Sequence, residues 1–113
     1  MLEQRRDMIM SGQVLAKILF ATESATLKPY QQTVLCTTGA VSDVDLVLPP
    51  VGEAAGKLYS ITLVTDGGKD VTVNDHGDDS RVAFTAVTLD TAEDYILLYS
   101  DGARWWTISS EVA

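Results

Sequence analysis

The sequence predicts an all-β domain, built as an antiparallel β-sandwich of jelly-roll type or as a small barrel. Short runs of β-branched and aromatic residues alternate with turn signals at intervals of roughly ten residues. No amphipathic pattern of useful helical length interrupts them. The clearest unit spans residues 94–108, where two such runs flank Asp101-Gly102, a dipeptide that tolerates the positive φ angles of a tight two-residue hairpin turn. Both tryptophans lie in this hairpin, which we expect at the centre of the domain.

Length and composition indicate one soluble domain. At 113 residues, with 46% hydrophobic and 21% charged residues, the chain can bury a core without disulfides. We predict a short N-terminal arm over residues 1–12 and a single β domain over residues 13–113. The formal charge of −8 argues against nucleic acid and anionic membranes as partners, because phosphate binding requires clustered Lys and Arg. The apolar run 14–20 is interrupted by Lys17, and it is too short for a signal peptide or a membrane span.

The remaining elements follow from alternation and turn chemistry. Strands are predicted over residues 32–37, 44–48, 57–65, 71–73, 81–86, 95–100 and 104–108, with 87–89 either extending the strand before it or starting another. Residues 14–20 could form a strand or one buried helical turn, and their length and β-branching favour the strand. The polar stretch 21–30 predicts a connection. A turn at Asp66-Gly67-Gly68 predicts a second hairpin, which joins the strand before it to the strand after it. Within the strand before this turn, odd-numbered positions share one face and even-numbered positions the other.

The sequence has no catalytic signature, and we predict that the chain is not an enzyme and holds no cofactor. Cys36 stands alone among apolar neighbours, which favours a small buried side chain over a nucleophile. The acidic loop 74–80, with carboxylates from Asp75 to Asp79, could supply oxygen ligands to Ca²⁺. Its spacing lacks the EF-hand pattern, however, and ordinary turn chemistry explains its residue types. His76, the single histidine, lacks the further ligands of a zinc site.

The two tryptophans are adjacent in a predicted strand. Because neighbouring residues of a strand face opposite sides, only one of Trp105 and Trp106 can enter a one-sided core. The other either packs beneath a loop or arm, or it anchors a subunit interface, a role in which Trp is common. The candidate interface residues are Trp105, Trp106, Tyr99, Arg5 and Arg6.

Several short motifs follow one another in a distinctive order. They are Leu48-Pro49, then Gly56-Lys57-x-Tyr59-x-Ile61, then Val71-Thr72-Val73, and finally the stretch 95–102 followed by the tryptophans. Through these motifs the segment 46–108 resembles a small β-rich module of tailed-phage virion proteins. Such modules occur in tail fibres, tail spikes and capsid decoration (cement) proteins, where they commonly assemble as trimers. The resemblance brings no catalytic residues with it.

The resemblance implies a structural virion protein, and size helps to choose among the three settings. Fibres and spikes need long shaft or receptor-binding regions, whereas a stand-alone acidic β-domain with a short arm suits a decoration protein. We therefore expect a homotrimer, made in the host cytoplasm, that binds the major capsid protein on the outside of the head and stabilises it. The alternative is a module associated with a tail fibre or spike. Such a module would bind a host receptor or carbohydrate through exposed aromatic residues and the acidic loop.

Overall fold

The computed structural model describes residues 18–77 and 84–112, and this part of the chain contains nine β-strands. The strands are β1 (Ile18–Ala21), β2 (Ala25–Thr26), β3 (Thr33–Thr37), β4 (Val44–Val47), β5 (Leu58–Thr65), β6 (Val71–Asn74), β7 (Val87–Leu89), β8 (Tyr95–Ser100) and β9 (Trp105–Glu111). The predicted positions of β3, β4, β5, β6 and β8 are confirmed, with ends that differ by no more than about one residue. The predicted arm, residues 1–12, lies outside the described residues.

The described strands form two sheets. The five-stranded sheet has the order β1-β3-β5-β8-β9, and the four-stranded sheet has the order β2-β4-β6-β7. From β1 to β6 the chain alternates between the sheets, so each passage adds one strand to each of them. The pairs made by these six strands with one another are all parallel, whereas β7, β8 and β9 pair antiparallel with their neighbours.

This topology confirms the all-β class and corrects its finer description. The expected arrangement of two packed sheets is confirmed, but the sheets are mixed and do not close on themselves, so the purely antiparallel pairing of a jelly roll and the small barrel are both wrong. Parallel neighbours need a crossover connection. Here a strand of the other sheet provides it. The turn at Asp66-Gly67-Gly68 therefore carries the chain from β5 in one sheet to β6 in the other, and the second predicted hairpin is wrong.

The inner faces of the two sheets share one hydrophobic core. Tyr59, Ile61 and Leu63 of β5 are fully buried, which confirms the predicted alternation. Cys36 is also fully buried, as predicted. The Tyr59 ring packs edge-on against Trp105, with ring centroids 5.4 Å apart, and its hydroxyl donates a hydrogen bond to the carbonyl oxygen of a proline in the loop before β3.

The hairpin of β8 and β9 lies at the edge of the five-stranded sheet, so its predicted central position is wrong and β5 occupies the centre. Its turn is also longer than predicted. Residues 101–104 separate the strands, and the backbone N–H of Asp101 donates to the carbonyl oxygen of Arg104 at 3.2 Å. Gly102 has the expected positive φ, 95°. A four-residue loop needs a positive φ at fewer positions than a two-residue turn of type I′ does.

Four predicted boundaries fall elsewhere. β9 ends at Glu111, three residues beyond the predicted end at residue 108. Residues 84–86 form no strand, and residues 81–83 of the same predicted strand lie outside the described residues. β2 lies within the stretch that was predicted to be a connection, because two residues are too few to show alternation. Of the first predicted strand, 14–20, the described part belongs to β1 and the rest lies outside the described residues.

Close packing at the corner after β5 leads to a first prediction. A Cβ added to Gly67 would lie 2.2 Å from the carbonyl oxygen of Thr38, so Gly67→Ala must displace backbone. We expect a loss of about 2–3 kcal/mol in the free energy of unfolding, measured by urea denaturation. Gly39→Ala is the matched control, because its added Cβ meets nothing within 4 Å. Equal losses in the two variants would contradict this account of the corner.

Burial of two weak acids leads to a second prediction. Desolvation raises the pKa of the Cys36 thiol from 9.0 to about 11 and that of the Tyr59 phenol from 10.0 to about 12. The folded state therefore holds protons that the unfolded state releases, and stability must fall as the pH rises above about 9. Urea midpoints measured across the alkaline range should show this decline. Cys36→Ala should remove the part of the decline that begins near pH 9, where the thiol of the unfolded chain ionises. An unchanged pH profile in that variant would contradict the assignment of this part to Cys36.

Candidate interaction surface

The outer face of the four-stranded sheet is polar. Its outward-facing residues are Thr26, Asp45, Val47, Thr72, Asn74 and Thr88. One valine stands among hydroxyls, an amide and a carboxylate. This is the composition of a sheet face that is in contact with water. It therefore serves as an internal reference for the other sheet.

The outer face of the five-stranded sheet is different. We call it the apolar face and define it by three rows of cross-strand neighbours. The rows are Phe20–Leu35–Thr62–Tyr95–Glu111, Ile18–Thr33–Ser60–Leu97–Ser109 and Leu58–Tyr99–Trp106. Two of these rows extend across all five strands, so the surface is continuous, and its width is four strand spacings, or about 19 Å.

Large apolar side chains on this face are open to solvent. Phe20 is 70% exposed, Ile18 56%, Leu58 48% and Trp106 45%. Of all the residues in the three rows, Glu111 alone carries a formal charge, and it lies on the edge strand β9. Isolated exposed hydrophobic residues are common, but several on one sheet face make that face a candidate interaction surface, with the hydroxyl side chains of Thr33, Ser60 and Thr62 between them.

Trp106 is held in place by its own hairpin turn. Its indole N–H donates a hydrogen bond of 2.9 Å to Oδ2 of Asp101. The guanidinium carbon of Arg104 lies 4.1 Å from the ring centroid, within the range of a cation–π contact. Oδ1 of Asp101 accepts the backbone N–H groups of Ala103 and Arg104, each at 2.8 Å. The indole is thus oriented before any partner arrives.

The same contacts set the ionisation of the turn carboxylate. The hydrogen bond from Trp106 lowers the pKa of Asp101 below its ordinary 3.8, and the backbone hydrogen bonds from Ala103 and Arg104 lower it further. The nearby positive charge of Arg104 acts in the same direction. At neutral pH the carboxylate is therefore charged and able to accept all three hydrogen bonds.

The predicted interface residues have different positions. Trp106 and Tyr99 are cross-strand neighbours on the apolar face. Trp105 is 3% exposed and lies in the core, so one tryptophan points inward and the other outward, as predicted. Arg5 and Arg6 lie outside the described residues.

Most of the apolar face was not identified from the sequence. Phe20, Ile18, Leu35, Leu58 and Leu97 were assigned only to strands. A signal was present in β8, which has the sequence Tyr-Ile-Leu-Leu-Tyr instead of an alternation of apolar and polar residues. Such continuous apolar runs are typical of strands that are covered on both faces.

The other candidate sites provide no clear chemistry. Asp75 and His76 are described, whereas residues 78–80 of the acidic loop are not. The described residues contain no group of three or more His, Cys, Asp or Glu side chains placed to hold a metal ion. They also include no helix with the length and apolar character that a membrane span requires.

The chain matches no protein-family model, no curated protein and no solved structure. The apolar face must therefore be interpreted from its own geometry. Aromatic residues and arginine are enriched where proteins bind one another, and tryptophan and arginine often dominate the binding energy there. Trp106, Tyr95, Tyr99 and Arg104 give the apolar face this character.

The hydrogen bonds of Asp101 lead to a third prediction. Asp101→Ala removes the acceptor of the Trp106 indole and of two backbone N–H groups, so the indole should become more mobile. In a Trp105→Phe background, where Trp106 is the single tryptophan and is excited selectively at the red edge of its absorption, acrylamide should quench the variant more strongly than the parent. Because the folded pKa of Asp101 is lowered, the parent should keep its low quenching at pH values above 3.8 and lose it as the pH falls below that value.

Asp66→Ala is the control for this experiment. The Asp66 carboxylate likewise accepts a backbone N–H in a turn, that of Gly68 at 2.8 Å, but the turn lies after β5. Quenching of Trp106 should not change in this variant. Equal quenching in the Asp101 variant and its parent would show that the carboxylate does not hold the indole.

Proposed function

We propose that the chain is a structural protein of a tailed-phage virion, a capsid decoration (cement) protein that binds the outside of the head as a homotrimer and stabilises it. The observation that carries the proposal is the apolar face, a continuous surface suited to protein contact on a domain with a formal charge of −8. A scaffold that is built to contact proteins fits a structural role.

Two of the motifs on which the resemblance rests are in contact with each other in this chain. Gly56 and Lys57 lie beside Ser100, although more than forty positions separate them in the chain. The N–H of Gly56 donates to the carbonyl oxygen of Ser100 at 2.8 Å. In return, the N–H of Ser100 donates to the carbonyl oxygen of Lys57 at 3.2 Å. The Ser100 hydroxyl donates to the carbonyl oxygen of Val51 at 2.7 Å. These contacts join the motif that begins at Gly56 to the end of the motif that contains Ser100.

A cement protein stabilises a capsid by mass action. It binds contacts that exist only between assembled capsid subunits, so each bound copy shifts the equilibrium toward the assembled shell. This activity requires surfaces for protein contact and no chemistry. In the proposed role, the major capsid protein is the partner and the capsid surface is the location of the bound protein.

The tail-associated alternative depends on an aromatic platform for carbohydrate. A sugar ring stacks on an open face of an aromatic side chain, and Trp106 is the most exposed of the aromatic residues in the hairpin. The guanidinium of Arg104 already lies over one face of its ring. This stacking favours contact with a protein over recognition of a sugar.

The experiment that tests the proposal is co-sedimentation of the full chain with purified heads and, separately, with purified tails. We expect saturable binding to heads alone, a density on the outer head surface by electron microscopy, and a higher melting temperature of decorated heads. A chain that starts at residue 13 should keep its melting temperature and bind heads more weakly, since we assign the arm to the capsid contact. Binding to tails alone, or glycan binding that Trp106→Ala abolishes, would overturn the cement role.

A further inference from the structure

We infer that the capsid protein binds this chain at the free edge of β1, where it adds an extended segment of its own as a further strand of the five-stranded sheet. The segment that fits carries apolar side chains together with a lysine or arginine. This assignment rests on the proposed function, because its partner is the major capsid protein of that proposal. Three features support it: the build of the four sheet edges, a cleft at the corner after β1 and the charge around that cleft.

Of the four sheet edges among the described residues, that of β1 is the least protected against pairing. Natural edge strands are protected by shortness, by charged residues or by bulges. β2 and β7 have only two and three residues. In β9 the register against β8 shifts, and the strand ends at Glu111. β1 pairs with β3 without a shift, and its four residues include no charge and no proline. Its outward-pointing backbone N–H and C=O groups are therefore suited to pairing with another strand.

A cleft of about 210 Å³ lies at the same edge. The described residues that line it are consecutive, from Leu19 to Ala25, and they belong to β1, to the corner after it and to the start of β2. Leu19 lies beside the fully buried Val34 of β3, so it is on the inner face of the sheet. A strand added beside β1 points alternate side chains into this inner layer. Apolar side chains at these positions would fill the cleft and extend the core.

The charge around the cleft selects a basic segment. Glu23 lines the cleft and is exposed. The hydroxyl of the next residue, Ser24, accepts the backbone N–H of Asp45 at 2.8 Å, which brings Asp45 to the same corner. The formal charge of −8 adds a longer-range attraction for cations. A lysine or arginine in the added strand can pair with Glu23, whereas the domain of a second copy would bring further negative charge to this corner.

The predicted arm, which the proposed function assigns to the capsid contact, is close to this edge in the chain. Residues 13–17 alone separate the arm from β1. An extended chain advances by at most about 3.6 Å per residue, so the Cα atoms of residues 12 and 18 are at most about 22 Å apart. A capsid subunit that contacts the arm is therefore within reach of β1.

Hydrogen exchange of the full chain, free and bound to purified undecorated heads, tests the strand pairing. An added strand makes hydrogen bonds with the outward-pointing amides of β1, so peptides that cover Ile18–Ala21 should exchange about tenfold more slowly on heads. β9 is the internal control, because it forms the other edge of the same sheet. Peptides that cover β9 should exchange at the same rate in both states.

Two charge reversals test the chemistry of the added segment. Glu23→Lys reverses the charge at the cleft. Glu53→Lys is the matched control, because Glu53 is also exposed but lies in the loop before β5, at the opposite end of the parallel strands β1, β3 and β5. Both variants change the formal charge by the same amount. We expect Glu23→Lys to weaken head binding about tenfold and to reduce its salt dependence, and Glu53→Lys to bind heads as the parent does.

Unchanged exchange of β1 on bound heads, or equal head binding by the two variants, would overturn the edge assignment and leave the cement role standing. Slower exchange of β1 that develops without heads as the chain is concentrated would also overturn the assignment, because a second copy would then occupy the edge. A chain that binds no heads overturns the cement role itself, and the edge assignment with it.

Discussion

The hydroxyl of Ser100 holds together the two parts of the chain on which the domain depends. Ser100 is fully buried, donates to the carbonyl oxygen of Val51 and accepts the N–H of Gly102. A buried hydroxyl without partners would cost about 1–3 kcal/mol, so these contacts fix the loop before β5 against the turn after β8. With that corner closed, β8 pairs in register along β5, and Trp105 reaches the core against Tyr59.

Strand positions could be predicted from the sequence because the two-residue period is a local property. Which strands pair is not local. The turn residues Asp66-Gly67-Gly68 suit a hairpin and a crossing between sheets equally well. The crossing brings Gly67 against Thr38, which lies 29 positions away in the sequence and whose hydroxyl accepts the Gly67 N–H at 3.1 Å. For the same reason the parallel pairing was missed while most strands were found.

In the candidate surface, too, the features that depend on local geometry could be predicted and those that depend on strand pairing could not. That one tryptophan enters the core and the other does not follows from strand geometry alone. Which one enters depends on the pairing of Ser100 with Trp105, and therefore on the register of the hairpin. The apolar face was missed because Phe20 and Leu97, taken singly, look like core residues. Only the arrangement of five strands shows that they share an outer surface.

The properties of the two outer faces bear on how a single acidic domain could contact both its own copies and a capsid. In the proposed role, a face buried between copies would be lost to any other partner, so the capsid contact would use other parts of the surface. Those parts include the carboxylate of Asp45, whereas Arg5 and Arg6 belong to the predicted arm. Apolar packing depends weakly on salt and charge pairing depends strongly on it. Self-association and capsid binding should therefore respond differently to ionic strength, which makes the two contacts separable in solution.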